Sequence, residues 1–328
     1  MRTLPFLFGC LALGAIAFVL GRALGNDYLF FAGYTVLQYI VLATGWNILG
    51  GYTGYVNFGS AAFFAIGAYT SVVLQKSGSL PLPVMVGIGG LAAGLVGLAM
   101  GYLTLRLRGA FFAIATLALA VVMQTIVVNW NYVGGSRGAY ILRPAAIDIA
   151  GFTLPYIQYL FATMAILAAI GVSAARAIER SRLGFGLAAI RDDEAAAEAC
   201  GVPTLKLKLV ATTLSGALMG MAGAPLPYYI GYLQPSSAFG LDYAINAIAM
   251  PMIGGTTSWA GPVIGAVLLG TLQQLATVTI SSVANLLIVG LLLTGFVMVA
   301  PNGILGLVQK FRPGRIALRR HPLFRGQQ

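Results

Sequence analysis

The feature that most constrains this sequence is a succession of apolar stretches, each close to the length that crosses a bilayer. They occupy 4–21, 28–49, 59–75, 81–104, 110–129, 153–176, 207–230, 241–254, 260–280 and 283–300. A spanning helix needs about 20 apolar residues at a rise of about 1.5 Å each. Only 19 basic and 8 acidic residues occur among 328, about a third of the charged share of soluble domains. The 43 glycines fit the same reading, because glycine is commoner in membrane helices than in soluble ones. A soluble core could not bury so much apolar surface. The expected fold is all-α: a polytopic integral membrane protein of about eight to ten transmembrane helices, since the eighth stretch is short and several are interrupted by glycine. Residues 1–328 form one transmembrane domain, with no segment long enough for a separate soluble domain.

The basic residues divide unevenly about those spans. Ten crossings place both termini on one side, together with Arg2, Arg106, Arg108, the bases from Arg176 to Lys208 and those from Lys310 to Arg325. Only Arg22, Lys76, Arg137 and Arg143 fall on the other side. This is the asymmetry of the positive-inside rule, so the richly charged side, with the basic tail 308–328, is expected in the cytoplasm. Membrane lipid, not nucleic acid, accounts for the net charge of +11, because the bases flank apolar spans without an aromatic-interleaved patch. The apolar run after Arg2 resembles a signal peptide, but its length favours a retained first helix. Cys10 and Cys200 point to neither a disulfide framework nor a metal site.

Two apolar stretches are broken by small and polar residues. "GWNILGGYTGYVNFGSAAFFAIGAY" (Gly45–Tyr69) carries Asn47, Gly50, Gly51, Thr53, Gly54 and Asn57, and "MIGGTTSWAGPVIGAVLLG" (Met252–Gly270) carries Gly254, Gly255, Thr256 and Thr257. Both breaks follow a span running from outside to inside, the arrangement expected of a two-half duplication with broken or re-entrant helices. Broken helices in corresponding halves point to a translocation path, with Asn47, Gly51, Thr53, Tyr55 and Asn57 as candidate lining residues. The competing reading is close packing of helices through small residues.

No catalytic constellation is present: His321 is the only histidine, and no metal or nucleotide motif appears. No predicted span has an acid, lysine or histidine at its centre, where coupled carriers commonly place one. The energy for transport is therefore expected from another subunit. Charge is concentrated instead in 178–206, which includes Glu179, Arg191, Asp192, Asp193, Glu194 and Glu198. Asp192 is expected to cap a helix of about eight residues, with Asp193 and Glu194 in its first turn. Gly201 then supplies the stop and Pro203 forbids continuation. So short a helix needs a partner surface.

"RLGFGLAAIRDDEAAAEACGV", followed by "KLKLVATTLSGALMGMAGA", resembles the cytoplasmic coupling loop and next span of bacterial ABC importer permeases. "GWNILGGYTGYVNFGSAAFFAIGAYTSVVL" and "APNGILGL" (Ala300–Leu307) are similar to motifs of the branched-chain amino acid permease family, M-type subunit. One departure is present: the importer motif places glycine at the position of Cys200, whereas here it is Gly201. The resemblance implies a non-enzymatic permease of the bacterial inner membrane, importing branched-chain or related amino acids. It implies a sister or identical permease, a periplasmic or lipid-anchored binding protein, and two cytoplasmic ATPases that hold ATP and Mg, with no cofactor bound by this chain. Arg191, Asp192, Asp193, Glu194, Glu198 and Gly201 would then meet an ATPase. Arg137 and Arg143, in the long outer loop Trp130–Gly151, would meet the binding protein. The same permease type also serves urea, short amides and other amino acids. A self-sufficient channel or secondary carrier is the alternative outside this class.

Overall fold

The computed structural model describes residues 3–78, 80–144, 146–149, 152–279, 290, 291, 294, 295 and 303–310. Nine of the ten predicted spans appear there as helices: α1 (Leu4–Ala23), α2 (Asp27–Thr53), α3 (Ser60–Ser77), α4 (Leu82–Thr104), α5 (Ala110–Val128), α6 (Tyr156–Glu179), and then α9 (Thr204–Gly223), α12 (Leu241–Gly254) and α13 (Ala260–Thr279). Between α6 and α9 lie the short helices α7 (Arg182–Asp192) and α8 (Glu194–Ala199). Between α9 and α12 lie α10 (Leu226–Ile230) and α11 (Pro235–Ala238), and α14 spans Gly303–Lys310. The predicted span 283–300 lies almost wholly outside the described residues, as does most of the tail 308–328. Seven helices, one of them α9 continuing to Ile230, are long and apolar enough to cross a membrane. α3 and α12 fall short of that measure, through their polar residues and short length respectively. The chain is an all-α, multi-pass membrane protein.

Helices dominate because a backbone in lipid must satisfy its own N–H and C=O groups. Their ends follow local chemistry. The Asn26 side chain accepts the Tyr28 amide at 3.0 Å, and Asp27 lies in the first turn of α2, where the helix dipole favours an anion. At the other end Gly54 turns to φ +78°, a conformation open chiefly to glycine. α2 therefore continues unbroken through Asn47, Gly50 and Gly51 to Thr53. The interruption expected within Gly45–Asn57 is confined to the link 54–59, because glycines inside a helix cost little where neighbours pack on them.

The packing shows what those glycines do. α9 runs through the centre, against α4, α3 and α2. A methyl group on Gly67 of α3 would fall on the Gly220 carbonyl of α9, and one on Gly223 of α9 would fall on the Phe64 carbonyl of α3. Gly97 of α4 approaches the Thr212 carbonyl with only 3.0 Å available to a side-chain carbon. Helices in lipid gain most from such close contact, since apolar side chains find lipid as good a neighbour as protein. α12 and α13 meet in the same way, through Gly254, Gly261 and Gly265. α1 is peripheral, leaning on α6 with Phe8, Leu13, Val19 and Leu20 exposed.

The two ends of the bundle differ. One end carries α7, α8, the α2–α3 link and the α12–α13 link: the charged end. The opposite end carries two small antiparallel ladders. β2 (Ala146–Ile149) pairs with β3 (Phe152–Pro155), and β1 (Ala139–Tyr140) pairs with β4 (Tyr232–Leu233). The loop Trp130–Gly151, expected on the outer side, is thus partly structured, and α6 begins at Tyr156, three residues later than the predicted start of its span.

The α3–α9 contact makes a testable demand. Gly67→Ala should destabilise the detergent-solubilised protein by about 1–3 kcal/mol through overpacking. Gly87→Ala, where nothing lies within 4 Å, should leave the thermal midpoint at or above that of the unmodified protein. Equal midpoints for the two variants would refute the close α3–α9 approach.

Candidate functional site

The charged segment folds as two short helices joined by a single residue. Ser181 opens α7 by accepting the Gly184 amide at 3.3 Å, and α7 runs to Asp192. Asp193, rather than Asp192, is the cap of α8: its carboxylate accepts the amides of Ala195 at 2.9 Å and Ala196 at 3.1 Å. The reason is conformational. Asp193 takes extended backbone (φ −160°, ψ 110°) and can reach forward, whereas Asp192 is still helical and lies beside Arg191 at 3.5 Å. The α8 helix has six residues, not eight. It closes at Gly201, with φ +82°. The Gly201 amide bonds the Glu198 carbonyl at 2.9 Å and the Val202 amide bonds that of Ala197 at 3.0 Å, the paired bonds of a Schellman stop.

A helix this short is held by what it touches. Ala197 is buried, and Glu194 turns inward. Its side chain keeps 12% of its accessible surface. The Lys208 ammonium, on the second turn of α9 and only 2% exposed, lies 2.6 Å from one Glu194 oxygen. The Tyr55 hydroxyl, from the α2–α3 link, donates to the other Glu194 oxygen. Lys208 also donates to the Tyr55 hydroxyl and to the Leu105 carbonyl at the end of α4, both at 3.2 Å. A lysine ammonium has three donors, and here three acceptors meet them. Arg108 approaches Glu194 at 3.8 Å and Glu198 at 4.0 Å, and the Thr204 hydroxyl donates to Glu198 at 2.6 Å.

Burial raises the Glu194 pKa, but the hydrogen bonds from Lys208 and Tyr55 and the charges of Lys208 and Arg108 outweigh it, leaving the carboxyl below its ordinary value. The Tyr55 hydroxyl is pushed up, first by burial and then by its bond to Glu194. Glu194 is therefore ionised and Tyr55 neutral at physiological pH, the states their hydrogen bonds require. Lys208 was legible as a base near a span's start, but its burial comes from the packing of α9 against α4 and the α2–α3 link.

The outward face of the segment is different. Asp192, Asp193, Glu198 and Gly201 are exposed, and Arg191 lies beside them. Phe185 on α7 is exposed as well, at 70%. Sequence reasoning passed over this residue. Helical spacing could have found it, since Leu187 and Ile190 mark the buried face and Phe185 lies off it.

The candidate path residues gather at the same end, in the interior. Asn47 and Thr53 are buried on α2, and the Thr53 hydroxyl bonds the Leu49 carbonyl. Gly51 faces the Thr256 carbonyl, so the first break touches the second. Asn57 accepts the Gly59 amide at 2.7 Å and opens α3, while its carbonyl accepts the Trp46 indole N–H at 2.8 Å. Tyr55 alone reaches the charged segment. The second link is tied down likewise: Glu179 accepts the Trp259 amide at 2.6 Å, and Gly303 of α14 sits against Gly254 and Gly255. Arg137 and Arg143 are exposed at the opposite end. Arg143 donates to the Tyr229 carbonyl at 3.0 Å, and the Arg137 carbonyl accepts from the Tyr232 hydroxyl.

A glycine-packed helical bundle with a short capped helix set between two of its spans makes this a multi-pass membrane protein. The chain belongs to the family described as branched-chain amino acid transport system / permease component, whose model matches residues 28–300. It is similar to the high-affinity branched-chain amino acid transport system permease protein LivM of Escherichia coli, 28% identical over 72% of this chain and 61% of that protein. The LivM of Salmonella typhimurium is 27% identical over the same shares. The chain thus spans about three fifths of the length of these relatives. A probable branched-chain amino acid transport permease protein LivH of Methanocaldococcus jannaschii is 25% identical over 81% of this chain and 88% of that protein. No solved structure matches the chain significantly.

The lowered Glu194 pKa fixes the sign of a pH effect. Its pairing contributes stability that is fully present above the ordinary glutamate value of 4.5 and is lost as pH falls through the lower folded value. The thermal midpoint of the unmodified protein should exceed that of Glu194→Gln at neutral pH. The gap should narrow as pH falls below 4.5. A gap that stays constant over that range would show that the charge of Glu194 contributes nothing.

Proposed function

We propose that this chain is the transmembrane permease subunit of an ABC importer that carries branched-chain amino acids into the bacterial cytoplasm. The observation that carries the reading is the family match across residues 28–300. That stretch includes both links and the whole charged segment. The chain moves the solute and performs no hydrolysis; ATP and Mg belong to two partner ATPases at the charged end. The protein lies in the inner membrane with the charged end and both termini in the cytoplasm, beside a sister or identical permease.

The exposed face of α7 and α8 suits an ATPase cleft. Phe185 offers an aromatic anchor of the kind that dominates interface energetics, and the exposed Asp192, Asp193 and Glu198 of the same segment add charge that steers association. At the opposite end Arg137 and Arg143 suit transient, steered contact with a substrate-binding protein, since arginine pairs a carboxylate through two hydrogen bonds. Residues at the two links form the inner end of the solute path.

Proteoliposomes holding this chain with its co-encoded permease, ATPases and binding protein should accumulate leucine only when ATP is supplied. Phe185→Ser should lower ATPase co-purification at least tenfold, about the 1.4 kcal/mol expected of a truncated anchor. Leucine uptake without ATP, or by this chain alone, would replace the importer with a self-sufficient carrier. Changing Arg137 and Arg143 together to glutamate should weaken binding-protein stimulation and its salt sensitivity while basal ATP hydrolysis persists. Unaltered stimulation would move docking to other residues.

A further inference from the structure

The inward side of the charged segment is built more tightly than a docking surface requires. Three side chains from three separate parts of the chain, Glu194 of α8, Lys208 of α9 and Tyr55 of the α2–α3 link, close a ring of hydrogen bonds in which each touches the other two. The ring also extends outward. Lys208 fixes the end of α4 through the Leu105 carbonyl, and the Tyr55 ring meets Phe112 at the start of α5 edge-on, with centroids 5.1 Å apart. The link that carries Tyr55 is held on both sides of it. Arg191 of α7 lies over Gly54, and the Phe58 amide donates to the Thr116 hydroxyl of α5 at 3.2 Å.

We propose that Glu194, Lys208 and Tyr55 form the joint through which movement of α8 reaches the membrane helices, with Lys208 and Tyr55 as positioning residues for coupling. The proposal rests on the importer reading given above. Three physical points support it. The α8 helix is too short to hold its own shape, so a force on it is passed to whatever anchors it, and Glu194 is its charged anchor on the inward side. The ring is nearly excluded from water, where separating a lysine from a glutamate is costly, so it holds one arrangement or another instead of stretching. The partners it joins are the ends of α4 and α9, the start of α5 and the link between α2 and α3, so one displacement moves them together.

The test uses the assembled importer in proteoliposomes and reads solute moved per ATP hydrolysed. Lys208→Met and Glu194→Gln keep side-chain length, and Tyr55→Phe removes one hydroxyl while keeping the ring. ATPase co-purification should stay within twofold of the unmodified complex in Lys208→Met and Tyr55→Phe, while solute moved per ATP should fall at least tenfold in Lys208→Met and Glu194→Gln and by a smaller factor in Tyr55→Phe. Lys208→Arg, which keeps the charge, should recover part of the loss. A purely structural role would lower yield and thermal midpoint without changing the ratio. An unchanged ratio in Tyr55→Phe and in whichever charge variant assembles would overturn the proposal. An unmodified chain that binds no ATPase would instead overturn the importer reading, so the two failures are distinct.

Discussion

The close approach of α9 to its neighbours is the constraint on which the rest of this structure depends. In lipid, apolar side chains gain little by leaving the membrane for a protein interior, so contact between backbones must supply the cohesion. Glycine at 67, 97, 216, 220 and 223 lets α3, α4 and α9 touch nearly backbone to backbone. That contact fixes where the first turns of α9 emerge, and so where Lys208 stands. The charge of Lys208 is tolerable there only because Glu194, Tyr55 and the Leu105 carbonyl meet all three of its donors. The polar chemistry of the charged end is thus set by packing among residues that carry no polar side chain.

Much of this was legible in the sequence, and the limits were physical. Hydropathy placed nine helices, because the length of a spanning helix is dictated by the bilayer. The family resemblance rested on motifs in α7–α9, around the α2–α3 link and at Ala300–Leu307, and the first two meet where the structure gathers its polar contacts. The shift of the cap from Asp192 to Asp193 could not be read, since either aspartate can cap and the choice lies in a backbone angle. The inward turn of Glu194 was equally hidden. Its partners are 14 residues away at Lys208 and 139 residues away at Tyr55, and no local pattern relates them. The extent of the first break was overestimated because Asn47, Gly50 and Gly51 look helix-breaking, yet α2 runs unbroken through all three. The ladders at the far end were missed because strands of two to four residues leave almost no periodic signal.

The resemblance also predicted a glycine where the chain has Cys200. The structure shows why one position matters little here. Cys200 ends α8 with an ordinary backbone conformation, and the left-handed turn falls one residue later, on Gly201. The α8 stop is intact, and only its register against the general motif has moved.

Main-chain ladders and ion pairs are divided between the two ends of the bundle. The β1–β4 and β2–β3 ladders join main chain to main chain, whereas the ion pairs among the described residues all lie at the charged end, among Arg108, Arg191, Asp192, Glu194, Glu198 and Lys208. Main-chain ladders persist through most side-chain replacements, and ionic strength scarcely reaches them. Ion pairs change with a single codon and weaken in salt where water can enter. Salt therefore has an uneven hold on this molecule: it can loosen the charged pole wherever water enters, and it leaves the ladders of the other pole as they are.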